Sequence, residues 1–540
     1  MKVKVCLLSF IMILATFAFG QYKSDVTFPD SSKPKITDVE IPRVRYAEEI
    51  SPRELKMHLN VLASAEFEGR ETGTEGNDKA AQYISRYLFN LGVSPIPGTT
   101  NFLQPVSFTF SKWSKNEFQI NGTTYKHLWD YIVFPTENQG GNILADDIIF
   151  LGYGIDDPQY SDYNKAKVGG KVIMINLGEP MLNDSISRLT GTAKLSDWST
   201  GINKKLAIAK EKGVKAVLFI DNDIKKTLET NRRKILGSFL ELGDVRERVY
   251  KYPSHIFISS TMATEIIGTK QKKILKARQN ISKGKSKPVT LRSNTQIVLE
   301  KENNLLKSNN VIGFIEGTDK KEEYVLVSAH YDHLGKRGDD IFFGADDNGS
   351  GSSLLLEMAQ AYQQAVMEGN KPSRSIVFCW FTGEEKGLLG SKYYTEYPIF
   401  PLSSTVVNVN IDMIGRTDGN YNDSVDYTYV IGSDRLSSDL HAISEKVNQQ
   451  YTQIVLDYKY NDEKDPNQFY FRSDHYNFAR RGVPAIFYFT GTHKDYHRPT
   501  DTPDKINYDK MAKVGKLIFH TIYELANGEK RIEVDGEIKN

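Results

Sequence analysis

Five side chains with metal-ligand chemistry stand on five separate segments: His330 in SAHYDH, Asp347 in GADDNGSG, Glu385 in FTGEEKG, Asp412 in NIDMIG and His497 in DYHRPTDT. Two imidazoles and three carboxylates suffice for a pair of zinc ions when one carboxylate bridges them. Three carboxylate charges against two dications leave one positive charge. A bridging hydroxide would cancel it, so the set accounts for its own nucleophile and implies hydrolytic chemistry.

The surrounding residues explain how such groups could be positioned. In EEYVLVSAHYDH an apolar run from Tyr324 to Val327 leads into His330, as a buried strand of a parallel sheet would. His330 and Asp332 lie two residues apart. If strand geometry persists they share a face, and Asp332 could accept the second ring N–H of His330. SIVFCWFTGEEKG leads Ile376 to Phe381 into Glu384 and Glu385, and TVVNVNIDMIG leads Val406, Val407, Val409 and Ile411 into Asp412. Between the first two runs, Leu354, Leu355, Met358, Ala361, Tyr362 and Ala365 recur at helical spacing, which predicts the crossover helix of a β-α-β unit. The carboxyl ends of such strands form the crevice where open α/β sheets bind ligands.

Glu384 and Glu385 are adjacent carboxylates. Their repulsion in a partly buried site is tolerable if one is bound to a dication while the other exchanges a proton. Glu385 is therefore assigned to the metal and Glu384 to general-base catalysis. The glycines Gly344, Gly349 and Gly351 permit close backbone approach where a loop opens a helix. Such a loop can instead cradle phosphate, but Asp346 and Asp347 would repel one and no Walker-type GKS or GKT follows.

The ordered set HYDH, GADDNGSG, FTGEEKGLLGS, NIDMIGR, RSDHYNF and YHRPTDT resembles the aminopeptidase Y-type co-catalytic dizinc aminopeptidases of the zinc-exopeptidase superfamily. The likeness spans roughly residues 305 to 528 and, more loosely, 40 to 105. It implies an α/β fold with a mixed, mostly parallel sheet flanked by helices. It also implies two zinc ions per chain held by His330, Asp347, Glu385, Asp412 and His497, with Asp347 as the bridge and Asp332 supporting His330. The Asp347–Asn348 peptide bond is expected to be cis, Glu384 to be the base, and Tyr496 to stabilise the tetrahedral oxyanion. The implied reaction is removal of N-terminal residues from peptides. A carboxypeptidase or dipeptidase on the same scaffold is the alternative if Arg416, Arg472, Arg480 or Arg481 meets a substrate carboxylate. A non-catalytic peptide-binding homologue is a third reading.

Beyond the site, MKVKVCLLSFIMILATFAFGQYK has the charged start, short apolar stretch and small-residue end of a cleavable signal peptide. Cleavage after Gly20 and a secreted or periplasmic location are expected, with no later segment apolar enough to span a bilayer. Cys6 would leave with residues 1–20, and Cys379 is expected as a small core residue. Lys+Arg 69 against Asp+Glu 68 gives net charge +1, so nothing favours a nucleic-acid partner. The basic stretch from Lys270 to Arg292 is expected to be a solvated face.

Ser51, Pro52 and Glu54 predict a capped helix through Leu55, Leu59 and Leu62, and a second helix from Ala80 to Leu91 ends at Gly92. The sheet these helices cover is expected to resume only near Asn310. The chain divides into residues 21–134 and 296–528 of a catalytic domain, an insert over 135–295, and a tail over 529–540. In the insert, IIFLGYG, KVIMINLG, KAVLFID and HIFIS read as strands, and GYGIDDPQYSDYNKAKVGGKVIMINLGEP resembles the protease-associated domain. Most aromatics from Phe469 to Phe489 are expected in the core. Ser473, Asp474 and His475 are read as a loop bordering the substrate pocket, since adjacent residues cannot form a catalytic relay.

Overall fold

The computed structural model describes residues 26–27, 41–183, 185–236, 240–244 and 249–538; the expected signal peptide, and Cys6 with it, lies outside them. Helix α1 spans Ile41–Glu48 and α2 spans Pro52–Leu62. The Ser51 hydroxyl accepts the backbone N–H of Glu54 (3.3 Å) and so caps α2, while Leu55, His58, Leu59 and Leu62 form its buried face. Helix α3, Glu75–Leu91, stops at Gly92, whose φ of 76° is the left-handed conformation of a helix terminator.

Twelve strands matter for the site and its setting. They are β1 (Leu103–Ile120), β2 (Gly141–Phe150), β3 (Val172–Asn176), β4 (Ala216–Asp221), β5 (Ser254–Ser259) and β6 (Val289–Ile315), followed by β7 (Lys320–His330), β8 (Arg374–Phe381), β9 (Thr405–Ile411), β10 (Tyr427–Ile431), β11 (Val455–Asp457) and β12 (Ala485–Phe489). They lie in one sheet in the order β11-β10-β12-β9-β7-β8-β6-β2-β3-β4-β5. Strand β1 pairs along the length of β6. The central pairs β7–β8, β7–β9 and β9–β12 are parallel, whereas β6–β8 and β10–β12 are antiparallel. This is the expected mixed α/β sheet.

Strands β8, β9 and the second half of β7 are buried throughout, which is why they read as unbroken apolar runs. The crossover helix α4, Gly351–Met367, packs with α1–α3 and the C-terminal α5, Tyr508–Asn527, over Val325, Val327, Phe378, Trp380, Val407 and Val409. The alternating residues Leu326, Val377, Cys379 and Phe381 face a smaller core with Tyr394 and Phe478 on the other side. Strands β2–β5 pack into two further apolar clusters, one around Val172, Leu218 and Ile256 that also takes in Phe118 of β1 and Ile297 of β6, and another around Ile173, Val217 and Phe257.

One expectation about the sheet fails. Strand β6 begins at Val289 rather than near Asn310 and runs unbroken past the polar stretch Lys301–Asn304, paired to β1 from Thr295↔Ile120 to Val311↔Leu103. No helix among the described residues is long and apolar enough to cross a membrane. The basic residues from Lys270 to Arg292 are exposed, as expected.

Candidate metal centre

The five expected ligands come together at the carboxyl edge of the parallel strands. His330 ends β7, Asp412 follows β9, Glu384 and Glu385 follow β8 by a short turn, Asp347 sits where the chain enters α4, and His497 lies in the loop between β12 and α5. Asp347 divides its two oxygens. Oδ1 is 3.5 Å from His330 Nε2, which is itself 3.4 Å from Asp412 Oδ1. Oδ2 is 3.1 Å from His497 Nε2, which is 3.2 Å from Glu385 Oε2. Ligand atoms at zinc bond lengths in a tetrahedron stand about 3.3 Å apart, close to these four separations. His330 Nε2 and Asp412 Oδ1 are buried without a hydrogen-bond partner, which a cation would remedy.

Donor atoms within 4.8 Å of one another also group as His330 with Glu384 and Asp412, and as His333 with Asp347 and Glu385. His333 was not among the expected residues, although it is the second histidine of HYDH. Its Nδ1 lies 2.8 Å from Glu385 Oε1, the oxygen that His497 does not face, and 3.7 Å from Asp347 Oδ2. His497 Nε2 faces both acids, at 3.1 and 3.2 Å, while His333 holds the other oxygen of Glu385.

Asp332 works differently from the expectation. His330 Nδ1 donates to the backbone carbonyl of Asp332 at 3.1 Å, and the Asp332 carboxylate stands 3.8 Å away. The carbonyl still fixes the tautomer, leaving the Nε2 lone pair toward Asp347 and Asp412. The carboxylate instead accepts the Thr72 hydroxyl (2.8 Å) and the backbone N–H of Glu384 (3.1 Å). Strand β7 ends at His330, so the two-residue alternation does not reach Asp332.

Neighbouring groups hold the ligand loops. Asp501 accepts the backbone N–H of Asp346 (3.0 Å) and of Asp347 (3.2 Å), and Asn348, joined to Asp347 by the expected cis peptide bond, donates to Ile411 O at 2.9 Å. The Arg70 guanidinium, fully buried, donates to the carbonyls of Leu62, Tyr331, Phe343 and Gly344 at 2.6 to 2.9 Å. A polar chain rises beneath Asp412: Asn408 donates to Ser328, Ser328 to Asn410, Asn410 to Ser473 (2.8 Å), and Ser473 to Asp412 Oδ2 (2.7 Å). Ser473 thus orients an acid.

For the polypeptide alone, burial pushes Glu384 well above the usual carboxylate range and His330 opposes this, with Glu385 and Asp412 adding to the rise. Burial raises Glu385 too, but hydrogen bonds from His333 and His497 outweigh it and hold the group well below the usual range. Burial lowers His497, yet Asp347 and Glu385 lift it to about 10. The adjacent glutamates are driven apart, one toward the proton-holding form and one toward the anion.

Residues 310–522, which contain all five donors, match the model of peptidase family M28. This segment belongs to that family. It is 31% identical over 213 residues to a probable leucine aminopeptidase of Trichophyton verrucosum, covering 38% of this chain and 55% of the relative. It is 27% identical over 232 residues to aminopeptidase YwaD of Bacillus subtilis, covering 42% of this chain and 46% of that protein. The chain spans about half the length of the curated relatives it matches. A solved aminopeptidase from Aneurinibacillus sp. strain AM-1 aligns over 92% of this chain and 99% of its own at 18% identity, with a TM-score of 0.49.

In the M28 segment the donors open onto a pocket lined by Asp347, Glu384, Asp412 and His497 on the acidic side. Its remaining lining comes from Met413, Phe469, Arg472, Phe487, Phe489, Thr492 and Tyr496. Tyr496 stacks on His497 with ring centroids 3.8 Å apart, and burial, then Asp347 and Glu385, push its hydroxyl up into the firmly protonated range. Phe469, Phe487 and Phe489 belong to a buried cluster whose edge lines this pocket, and Phe478 and Tyr488 are buried in other clusters, as expected.

Proposed function

We propose that this protein is a secreted dizinc aminopeptidase, with one ion held by His330, Asp347 and Asp412 and the other by Asp347, Glu385 and His497. The observation that supports it best is the division of Asp347, whose two oxygens face two separate histidine–carboxylate pairs. When bound, the zinc pair would supply Lewis acidity and lower the pKa of a shared water. Glu384 accepts a proton from the attacking water and returns it to the leaving amine. The backbone N–H donated to Asp332 keeps Glu384 in place. Tyr496, firmly protonated, donates its O–H to the oxygen that gains charge in the tetrahedral state. Carboxylate oxygens not used in coordination hold the free α-amine, so an internal peptide bond finds no cation to place there.

The division into a peptidase domain over 21–134 and 296–528 and an inserted protease-associated-like domain over 135–295 belongs to the same proposal. The separate apolar clusters of β2–β5 support it.

The purified protein, assayed on a peptide with a free N-terminus and on its N-acetylated twin, with and without chelator, tests the reading. Cleavage of the first only, lost on chelation and restored by zinc, is expected. Cleavage of the acetylated peptide at a comparable rate would refute the aminopeptidase assignment, and chelator-resistant cleavage would refute the metal.

A further inference from the structure

Among the described residues, one exposed cation at the metal pocket pairs with no carboxylate. Four arginines could meet a substrate carboxylate in this region. Arg416 is tied to Asp495 at 3.1 Å, Arg481 faces Glu396 at 4.0 Å, and Arg480 lines a separate cavity with Tyr470 and Tyr476. Arg472 alone among them lines the pocket of Glu384, Asp412 and His497. Its guanidinium lies over the Phe469 ring, 4.7 Å from the centroid, and donates to the Tyr496 hydroxyl at 3.3 Å. It pairs with no carboxylate among the described residues.

A guanidinium has five N–H donors in a planar fork, and here the structure gives one of them a protein acceptor. The contact with Phe469 and the bond to Tyr496 hold the guanidinium at the pocket and leave the rest of its fork open to a ligand. A planar cation of this kind pairs best with a carboxylate, through two parallel hydrogen bonds. The adjacent lining of Met413, Phe469, Phe487 and Phe489 is apolar, suited to a hydrocarbon stem that ends in such a group. Arg472 directly precedes Ser473, the residue that orients Asp412, so its position is coupled to the ligand loop.

We infer that Arg472 is a specificity-determining residue that receives a substrate carboxylate at the metal pocket. This inference rests on the peptidase reading above. Two sources share the chemistry: the side chain of an N-terminal acidic residue, or the free C-terminus of a dipeptide.

Two matched pairs of substrates separate the sources, assayed with the full-length zinc-loaded protein. The first pair is a Glu-initiated and a Gln-initiated peptide, both amidated. The second is Leu-Ala with a free carboxylate and Leu-Ala amide. In the wild type, the acid-to-neutral ratio of kcat/KM should favour the acid by about tenfold or more in one pair. That ratio should fall to near one in Arg472→Gln, chiefly through KM, and recover in part in Arg472→Lys. A change in the first pair assigns the side chain, and one in the second assigns the terminus. Active wild type and variants with both ratios unmoved would overturn the role of Arg472 alone. No cleavage of any of the four by zinc-loaded wild type would overturn the peptidase reading and this inference together.

Discussion

Glu384 and Glu385 are neighbours in the chain that meet opposite surroundings. Glu384 has His330 Nε2 at 3.8 Å but is dominated by burial, whereas Glu385 is gripped by His333 and His497 on its two oxygens. Removing the charge of each should therefore have different consequences. Glu384→Gln is expected to keep the zinc content of the wild type and lose roughly 10²–10⁴ in kcat. Glu385→Gln should lose zinc as well, measured by metal analysis after dialysis. A Glu384→Gln protein with full turnover would remove that residue from the mechanism. The adjacent acids were legible in the sequence because a buried strand delivers them and their repulsion needs an explanation. The work of Asp332 was not, because it depends on Thr72, 260 residues away, and on β7 ending where it does. His333 was visible in HYDH, but spacing alone does not tell a ligand from a residue that steadies one.

The loop entering α4 owes its shape to parts drawn from distant elements. Gly344 has a φ of 55°, and a Cβ there would collide with Asp347 O and the His333 ring. Arg70 ties Phe343 and Gly344 to Tyr331 and to the end of α2. Arg70→Met would leave four carbonyls, three of them buried, without that donor and should cost about 3 kcal/mol or more, read by denaturant unfolding. A second buried polar group joins α2 and α4: His58 Nε2 is 3.0 Å from Glu357, and both side chains are buried. Burial, then Glu54, raises Glu357 to about 9, and burial lowers His58 to about 4. Between the ordinary values of the two groups, the unfolded chain holds its proton on the histidine and the folded chain on Glu357, so stability is flat. Above about 6.5 only the folded state retains that proton, so this contribution should decline as pH rises from 6.5 toward 9. Glu357→Gln should abolish that decline in a pH series of melting curves; an unchanged slope would show that the pair is not its source. The strands β7–β9 and helix α4 were legible from apolar runs and helical spacing. The start of β6 was not, because Lys301–Asn304 shows no apolar alternation and is held in extended form by its ladder with β1.

At the scale of the whole molecule, the proposed metal ligands and the proposed insert should be stabilised by different things. All five proposed ligands, and the acids Asp332, Asp346 and Asp501 behind them, belong to the half of the sheet covered by α1–α5. Without cations that half confines several buried carboxylates in one cavity, and zinc binding to the folded form adds its binding free energy to stability. The clusters around β2–β5 include no ligand residue and gain nothing directly from the ions. Unfolding followed by calorimetry should therefore show two transitions, of which chelation lowers one by roughly 6–12 °C if zinc contributes about 3 kcal/mol to a domain of that size. Added zinc should restore it, and the other transition should stay in place. The long β1–β6 ladder is the one element that could defeat this, since it runs beside both halves and could make them melt together. A single transition that moves as a whole would mean the ladder couples the two cores into one cooperative unit, and the inserted segment would then share in the stability conferred at the metal pocket.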